Sequence, residues 1–311
     1  MITQSTSSSN KKLTTWRMVR LGVGVTLLAC ELMVRLVGED QRRAFGYVEI
    51  AFFAAMSLAA AALAYKSSRS FSPGQTSRTV WLIIALMPLS DAIAYLAYTS
   101  PGYLPNHAKS IPFIAVATVF LSLSRIIAVA AFLSMLRVYR KTGLELELRV
   151  QEYFVMGLII LIEAISLYFS RSGARASGGP DAAKLVLITA IPLVVALVPC
   201  SVLGVMIWRF TTQMGGGLVA KAWRNTLLYA LGWLSYTAFH AVIAYYFQLS
   251  ADAVTGSTAA RFLLFTGVDF ILKGGEYLMF LGASFQYEAC TGTPDFSGEF
   301  ADLSEELSTA A

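Results

Sequence analysis

A long apolar stretch near the C-terminus, residues 260–288, carries three ionisable side chains close to its middle: Asp269, Lys273 and Glu276. The stretch is longer than the ~18 apolar residues that separate a membrane-spanning helix from a core helix. A charge at the centre of a bilayer costs roughly 2.5–3.5 kcal/mol on insertion scales, and such residues usually serve a function. Lys273 is therefore a candidate functional group.

The spacing of Asp269 and Lys273 allows two interpretations. Asp269 precedes Lys273 by four residues, which puts both side chains on one helical face, one turn apart. In the structural interpretation they form a buried ion pair that only tunes packing. In the chemical interpretation the Lys273 amine condenses with an aldehyde, and Asp269 balances the charge of the protonated Schiff base. The usual role of intramembrane charges favours the second interpretation.

Three stretches of the chain resemble one family. The sequence DFILK, residues 269–273, resembles the retinal-attachment helix of microbial rhodopsins, in which an Asp is followed four residues later by a Lys. Residues 224–242, RNTLLYALGWLSYTAFHAV, resemble the sixth helix of that family. Residues 86–103, LMPLSDAIAYLAYTSPGY, are similar to its second helix.

The resemblance implies a cofactor and its site. The cofactor is all-trans-retinal, bound covalently to Lys273 with Asp269 as counterion. Trp233 and Tyr236 match the family residues that line the retinal. His240 lies one turn past Tyr236, where it either reaches the retinal pocket or packs in the core.

Composition and apolar runs predict a multi-pass membrane protein. The chain is 56% hydrophobic and 14% charged, against roughly 25% charged residues in a soluble domain. Eight apolar runs are candidate crossings. They lie at residues 17–38, 47–65, 79–99, 111–139, 151–171, 183–209, 222–248 and 260–288.

Counting back from Lys273 assigns the seven helices of the family to residues 47–288. The predicted fold is an all-α membrane protein, a seven-helix microbial rhodopsin bundle with one extra N-terminal transmembrane helix at 17–38. Residues 1–16 are predicted to be a cytoplasmic arm, and residues 289–311 a short acidic cytoplasmic tail. An extra first helix resembles the enzyme-linked rhodopsins, but no catalytic domain follows, so no enzyme activity is expected of this chain.

The distribution of basic residues predicts the orientation. With the N-terminus inside, the cytoplasmic segments hold more Lys and Arg than the opposite loops, as the positive-inside rule requires. Both termini are therefore expected in the cytoplasm. The expected partners are the lipid bilayer, other copies of the chain in a homo-oligomer, and a cytoplasmic effector, but no nucleic acid.

The run from Ala108 to Gly143 contains no Asp or Glu. Outward proton pumps of the family need a carboxylate on this helix to accept the Schiff-base proton, so outward pumping is not expected. Thr118 and Ser122 stand at the acceptor and neighbouring hydroxyl positions. That arrangement resembles the chloride-pumping and anion-conducting members.

Other ionisable residues lie inside predicted crossings. Asp91 follows the second-helix proline by three residues, which by resemblance puts it near the Schiff base. Arg125 and Glu163 are predicted to form a pair between two crossings, either structural or gating. Glu31 and Arg35 are four residues apart and are predicted to neutralise each other on one helical face.

The resemblance to microbial rhodopsins implies a retinal-binding, light-responsive membrane photoreceptor, and the ionisable residues favour the sensory type. A light-gated ion channel or anion transporter is the alternative within the family. A retinal-independent proton-coupled transporter, using Asp269, Lys273 and Glu276, is the alternative of another class. No metal site is expected, because the three cysteines lack a Cys-x-x-Cys pair and only two histidines are present.

Overall fold

The computed structural model describes residues 5–36, 39–99, 126–137, 148–161, 202–209, 217–230 and 258–292, with a few single positions between them. All regular structure in these residues is α-helical, which confirms the prediction of an all-α protein for the described part of the chain. The helices are α1 (Ser5–Leu36), α2 (Glu39–Arg69), α3 (Thr76–Thr99), α4 (Ile126–Arg137), α5 (Val150–Leu161), α6 (202–209), α7 (218–230) and α8 (Thr258–Gly292).

Two of these helices are long and apolar enough to cross a membrane. They are Ala44–Arg69 within α2 and Thr76–Ala97 within α3. α4 and α5 are apolar but shorter in the described part of the chain. Such helices are typical of a membrane protein, while the count of eight crossings and the seven-helix bundle stay predictions.

The first and last helices extend past their predicted bounds. α1 begins at Ser5, inside the stretch 1–16 that was predicted to be an arm, and that stretch has no Pro or Gly to stop a helix. α8 continues to Gly292, beyond the predicted end at residue 288. Ala289 in this added turn is buried, so packing supports the extension.

α2 packs against both α3 and α8, and buried residues of these helices form the main apolar core together with residues of α1, α4, α6 and α7. Small residues at the contacts allow close approach of the helix backbones, as is usual between helices in a membrane. Among the described residues, alanines with no exposed surface occur on five helices. They are Ala60, Ala64, Ala92, Ala94, Ala128, Ala131, Ala222 and Ala283.

α1 and α8 run in opposite directions. Arg20, in the first half of α1, contacts Ser284, late in α8. Glu31, near the end of α1, contacts Lys273, earlier in α8. The first residues of α1 and the last residues of α8 therefore lie toward the same end of this helix pair.

Gly282 of α8 lies close against the backbone of α7. A Cβ at this position would lie 2.6 Å from Thr226 Oγ1 and 3.0 Å from the Ala222 carbonyl oxygen. Because a backbone atom cannot yield as a flexible side chain can, we expect Gly282→Ala to lower the free energy of unfolding by about 1–3 kcal/mol. The control is Gly22→Ala in α1, where a Cβ meets nothing within 4 Å. Thermal unfolding in detergent measures both, and equal stability of the two variants would contradict the prediction.

Candidate functional site

The Lys273 ammonium lies between two carboxylates that come from different helices. Its Nζ donates to Glu49 Oε1 of α2 at 2.6 Å and forms a second ion pair with Glu31 of α1. The Lys273, Glu31 and Glu49 side chains are only 12%, 10% and 7% exposed. These three residues are called the lysine–carboxylate site below.

One face of α1 carries Glu31 to this site. Arg20, Gly24, Leu27 and Glu31 recur every three or four residues, which places them on a single helical stripe. Leu27 is 6% exposed, and a Cβ on Gly24 would meet the Tyr277 hydroxyl at 2.8 Å. The stripe therefore faces α8 along most of its length, and Glu31 is the member that reaches Lys273.

The lysine–carboxylate site is electrostatically coupled. One ammonium faces two carboxylates, which both lie against the same Nζ. The thiol of Cys30, on α1, lies within electrostatic reach of all three groups. Because burial makes an uncompensated charge costly, a change of protonation at one group alters the others. The carboxylates can therefore stabilise a positive charge on Nζ or exchange a proton with it.

A second polar cluster surrounds Glu276, one turn further along α8. The Ser57 hydroxyl of α2 donates to Glu276 Oε2 at 3.0 Å, and the Tyr95 hydroxyl of α3 donates to Oε1 at 3.0 Å. Glu276 is 1% exposed. The Phe53 ring lies 5.8 Å from Lys273 Nζ and 5.9 Å from the Tyr95 ring, so it stands between the two clusters.

A third cluster joins α3 to α7. Asp91 Oδ2 accepts hydrogen bonds from the Ser124 hydroxyl at 3.2 Å and from the Tyr229 hydroxyl. All three residues are fully buried. Ser124 precedes α4, so Asp91 links three parts of the helical core. The predicted position of Asp91 beside a Schiff base stays a prediction.

At the other end of the α1–α8 contact, Arg20 is bound by several groups of α8. Its Nε donates to Ser284 Oγ at 2.8 Å, and its guanidinium pairs with Glu288. The Phe285 ring lies 3.9 Å from Arg20 Cζ, a cation–π contact. Tyr277 donates to the Arg20 carbonyl oxygen at 2.8 Å. This Arg20–Glu288 contact fixes α1 along α8.

Most of the other residues predicted for the site lie outside the described residues. α8 contains both Asp269 and Lys273, as predicted, but the Asp269 side chain is not among those described. The remaining predicted residues that lie outside are Thr118, Ser122, Arg125, Glu163, Trp233, Tyr236 and His240.

Glu31 and Glu49 were not predicted as partners of Lys273. Glu31 was predicted to pair with Arg35, whose side chain is not described, so that pairing stays a prediction, and the structure shows that Glu31 also pairs with Lys273. Glu49 received no role from the sequence. It was detectable in principle, as a carboxylate inside the predicted crossing 47–65, by the rule that intramembrane charges mark function.

No group of three or more metal-ligating side chains occurs among the described residues. Comparisons with protein-family models, with curated proteins and with solved structures gave no match. A proposal about function therefore depends on the buried charges and on the residues around them.

Proposed function

We propose that this chain is a retinal-binding, light-responsive membrane protein in which Lys273 carries all-trans-retinal through a Schiff base. The observation that supports this best is the buried Lys273 ammonium with carboxylates of α1 and α2 at its nitrogen. Retinal attached there would supply visible absorption and light-driven isomerisation. The resemblance of residues 224–242 and 269–273 to the retinal-binding helices supports the choice of cofactor.

The residues at Lys273 fit this group. An amine must lose a proton before it attacks an aldehyde, and Glu49 Oε1, 2.6 Å from Nζ, is placed to accept that proton. A protonated Schiff base has the same charge as the ammonium that it replaces. A carboxylate that stabilises the ammonium therefore also stabilises the protonated Schiff base.

The structure adds candidate counterions to the one that the sequence predicted. Asp269 stays a candidate, one turn before Lys273 on α8. Glu49 and Glu31 join it because both are paired with Nζ. We propose that Glu49, the more buried of the two, is the main counterion on the α2 side.

A sensory role is favoured over outward proton pumping. The run from Ala108 to Gly143 offers no carboxylate to accept the Schiff-base proton. A light-gated ion channel or anion transporter is the alternative, because Glu276 and Asp91 place buried polar groups between α2, α3, α7 and α8. The proposed architecture is the seven-helix bundle with α1 added, both termini in the cytoplasm, and the antiparallel contact of α1 with α8 is consistent with it.

A second candidate, of another class, is a retinal-independent proton-coupled transporter. The observation that favours it is the Glu31–Lys273–Glu49 set, in which a buried lysine is paired with carboxylates of two other helices. Chains of buried ionisable groups are typical of proton relays, and Glu276 lies one turn away. The two candidates differ in whether Lys273 must react or only carry a charge.

Reconstitution with retinal separates these candidates. All-trans-retinal is added to protein expressed without it, and we expect a visible band at longer wavelength than that of free retinal. Borohydride reduction should then fix the retinal mass on the peptide that contains Lys273. Free-retinal absorption with no adduct would exclude the proposal, and proton-driven transport in retinal-free liposomes would support the second candidate. Photocurrents that reverse with the ion gradient would identify a channel.

A further inference from the structure

α1 contacts α8 through charged side chains at two positions along its length. At one position Arg20 donates to Ser284 and pairs with Glu288, and at the other Glu31 pairs with Lys273. Arg20 and Glu31 are eleven residues apart on α1, and Lys273 and Ser284 are eleven residues apart on α8. Eleven residues of helix make about three turns and span about 16 Å, so the two antiparallel helices keep one register at both contacts.

The two helices also touch between these positions. The Tyr277 hydroxyl of α8 donates to the Arg20 carbonyl oxygen at 2.8 Å, and a Cβ on Gly24 would lie 2.8 Å from the same hydroxyl. Leu27, one turn further along the same stripe of α1, is buried. Because the helix is continuous over this length, a displacement of α1 at one charged position also moves it at the other.

From this register we infer that Arg20 is a positioning residue for Lys273. Arg20 holds the first half of α1 on α8, and the continuous helix then places the Glu31 carboxylate against Nζ. The energy of an ion pair depends on the distance between its charges, so a displacement of α1 changes how strongly Glu31 stabilises a positive charge on Nζ. This coupling does not depend on whether Lys273 carries retinal.

Coupling between two sites is reciprocal. If the docking of α1 through Arg20 changes the free energy of a charge at Lys273, a reaction at Lys273 changes the free energy of α1 docking by the same amount. The state of Lys273 is then communicated to the end of the helix pair where α1 begins and α8 ends. For the proposed photoreceptor α1 becomes a route from the cofactor to a cytoplasmic partner, a consequence that rests on the proposed function.

Titratable groups on three helices lie near the Lys273 ammonium. They are Cys30 and Glu31 of α1, Glu49 of α2, and Asp269 and Glu276 of α8. Glu31 is the single carboxylate of α1 between Ser5 and Leu36. A displacement of α1 should therefore act on the Lys273 charge mainly through Glu31, and this dependence separates positioning from a general loss of stability.

The charge on Lys273 can be titrated without retinal. Full-length protein in detergent is treated with formaldehyde and a borane reductant at a series of pH values, and mass spectrometry measures methylation of the peptide that contains Lys273. The neutral amine is the form that reacts, so the pH of half-maximal methylation measures how strongly the surroundings stabilise the ammonium. Easier access of the reagents raises the rate at every pH and leaves this midpoint unchanged.

We expect Glu31→Gln to lower the midpoint by about one pH unit, because Nζ loses the negative charge of one neighbouring carboxylate. Arg20→Ala should lower it as well, since Glu31 is no longer held in place. In the double variant, Arg20→Ala should add almost nothing to the effect of Glu31→Gln, because both changes act through one interaction. Arg20→Lys should restore part of the shift, and Arg17→Ala, which changes an exposed arginine of the same helix, should cause none.

Glu288→Gln is a milder change at the same contact, because it keeps the shape of the side chain and removes the charge that faces Arg20. It should lower the midpoint by less than Arg20→Ala does, and it decides the question alone if Arg20→Ala does not fold. An unchanged midpoint in Glu288→Gln and in folded Arg20→Ala would overturn the inference. So would a shift of the same size with and without the Glu31 carboxylate, because Arg20 would then act by loosening the helices in general.

These outcomes are independent of the test of the proposed function. The titration uses retinal-free protein, so an unchanged midpoint leaves retinal binding at Lys273 to be decided by reconstitution. Absence of a visible band and of a borohydride adduct would exclude the proposed function, while a shift that depends on Glu31 would still establish Arg20 as a positioning residue for Lys273.

Discussion

Lys273→Ala should lose the visible absorption band completely and should also be less stable than the wild type. The band is lost because no other described contact places an amine at this site, so no Schiff base forms there. Stability falls because the buried Glu31 and Glu49 lose the ion pairs that Lys273 makes with them. Removal of one partner from a buried ion pair costs roughly 3–5 kcal/mol. Visible spectra with added retinal and unfolding of the retinal-free protein measure the two effects separately.

Lys273→Arg is the matched control, because a guanidinium keeps the positive charge but does not form a retinal Schiff base. This variant should also be colourless, yet it should keep much of the stability that Lys273→Ala loses. A coloured Lys273→Ala protein would show that retinal is attached elsewhere. Equal stability of wild type and Lys273→Ala would show that the lysine–carboxylate site contributes nothing to folding.

The sequence located the lysine but not its partners. Lys273 stood out because an ammonium in a long apolar run is costly, and that signal is local. Glu31 and Glu49 reach it from two other helices, and each is more than two hundred residues away. Helical periodicity predicts which residues share a face of one helix, but it does not predict which helix packs there. For the same reason the sequence paired Glu31 only with Arg35 of its own helix and did not predict the contact with Lys273.

The helices themselves were predictable for a simple reason. Long apolar runs determine where helices form, so every described helix overlaps one predicted crossing. Their ends were less predictable, because the extension of α8 to Gly292 depends on burial of Ala289 against other helices. The hydrogen bonds of Asp91 with Ser124 and Tyr229 likewise depend on the tertiary arrangement of three helical segments.

The largest purely structural effect is expected for Arg20→Ala. Arg20 and Glu288 have side chains only 9% and 5% exposed, so the variant would leave a buried carboxylate without its cation. It would also remove the donor to Ser284 and the contact with Phe285. We expect a loss of about 3–5 kcal/mol in the free energy of unfolding. Chemical denaturation in detergent measures it, with Arg17→Ala, an exposed arginine of the same helix, as the control.

A double variant separates two contributions to the free energy of unfolding. One is the cost of leaving a single buried charge unpaired, and the other is the stabilisation by the ion pair itself. Replacing a whole buried ion pair by apolar residues is often nearly neutral, because neither charge then has to be desolvated. Arg20→Leu combined with Glu288→Leu should therefore be more stable than Arg20→Ala, even though it removes both charges. If the double variant is instead as unstable as the sum of its single changes, the two residues act independently. Their ion pair would then not be what holds α1 against α8.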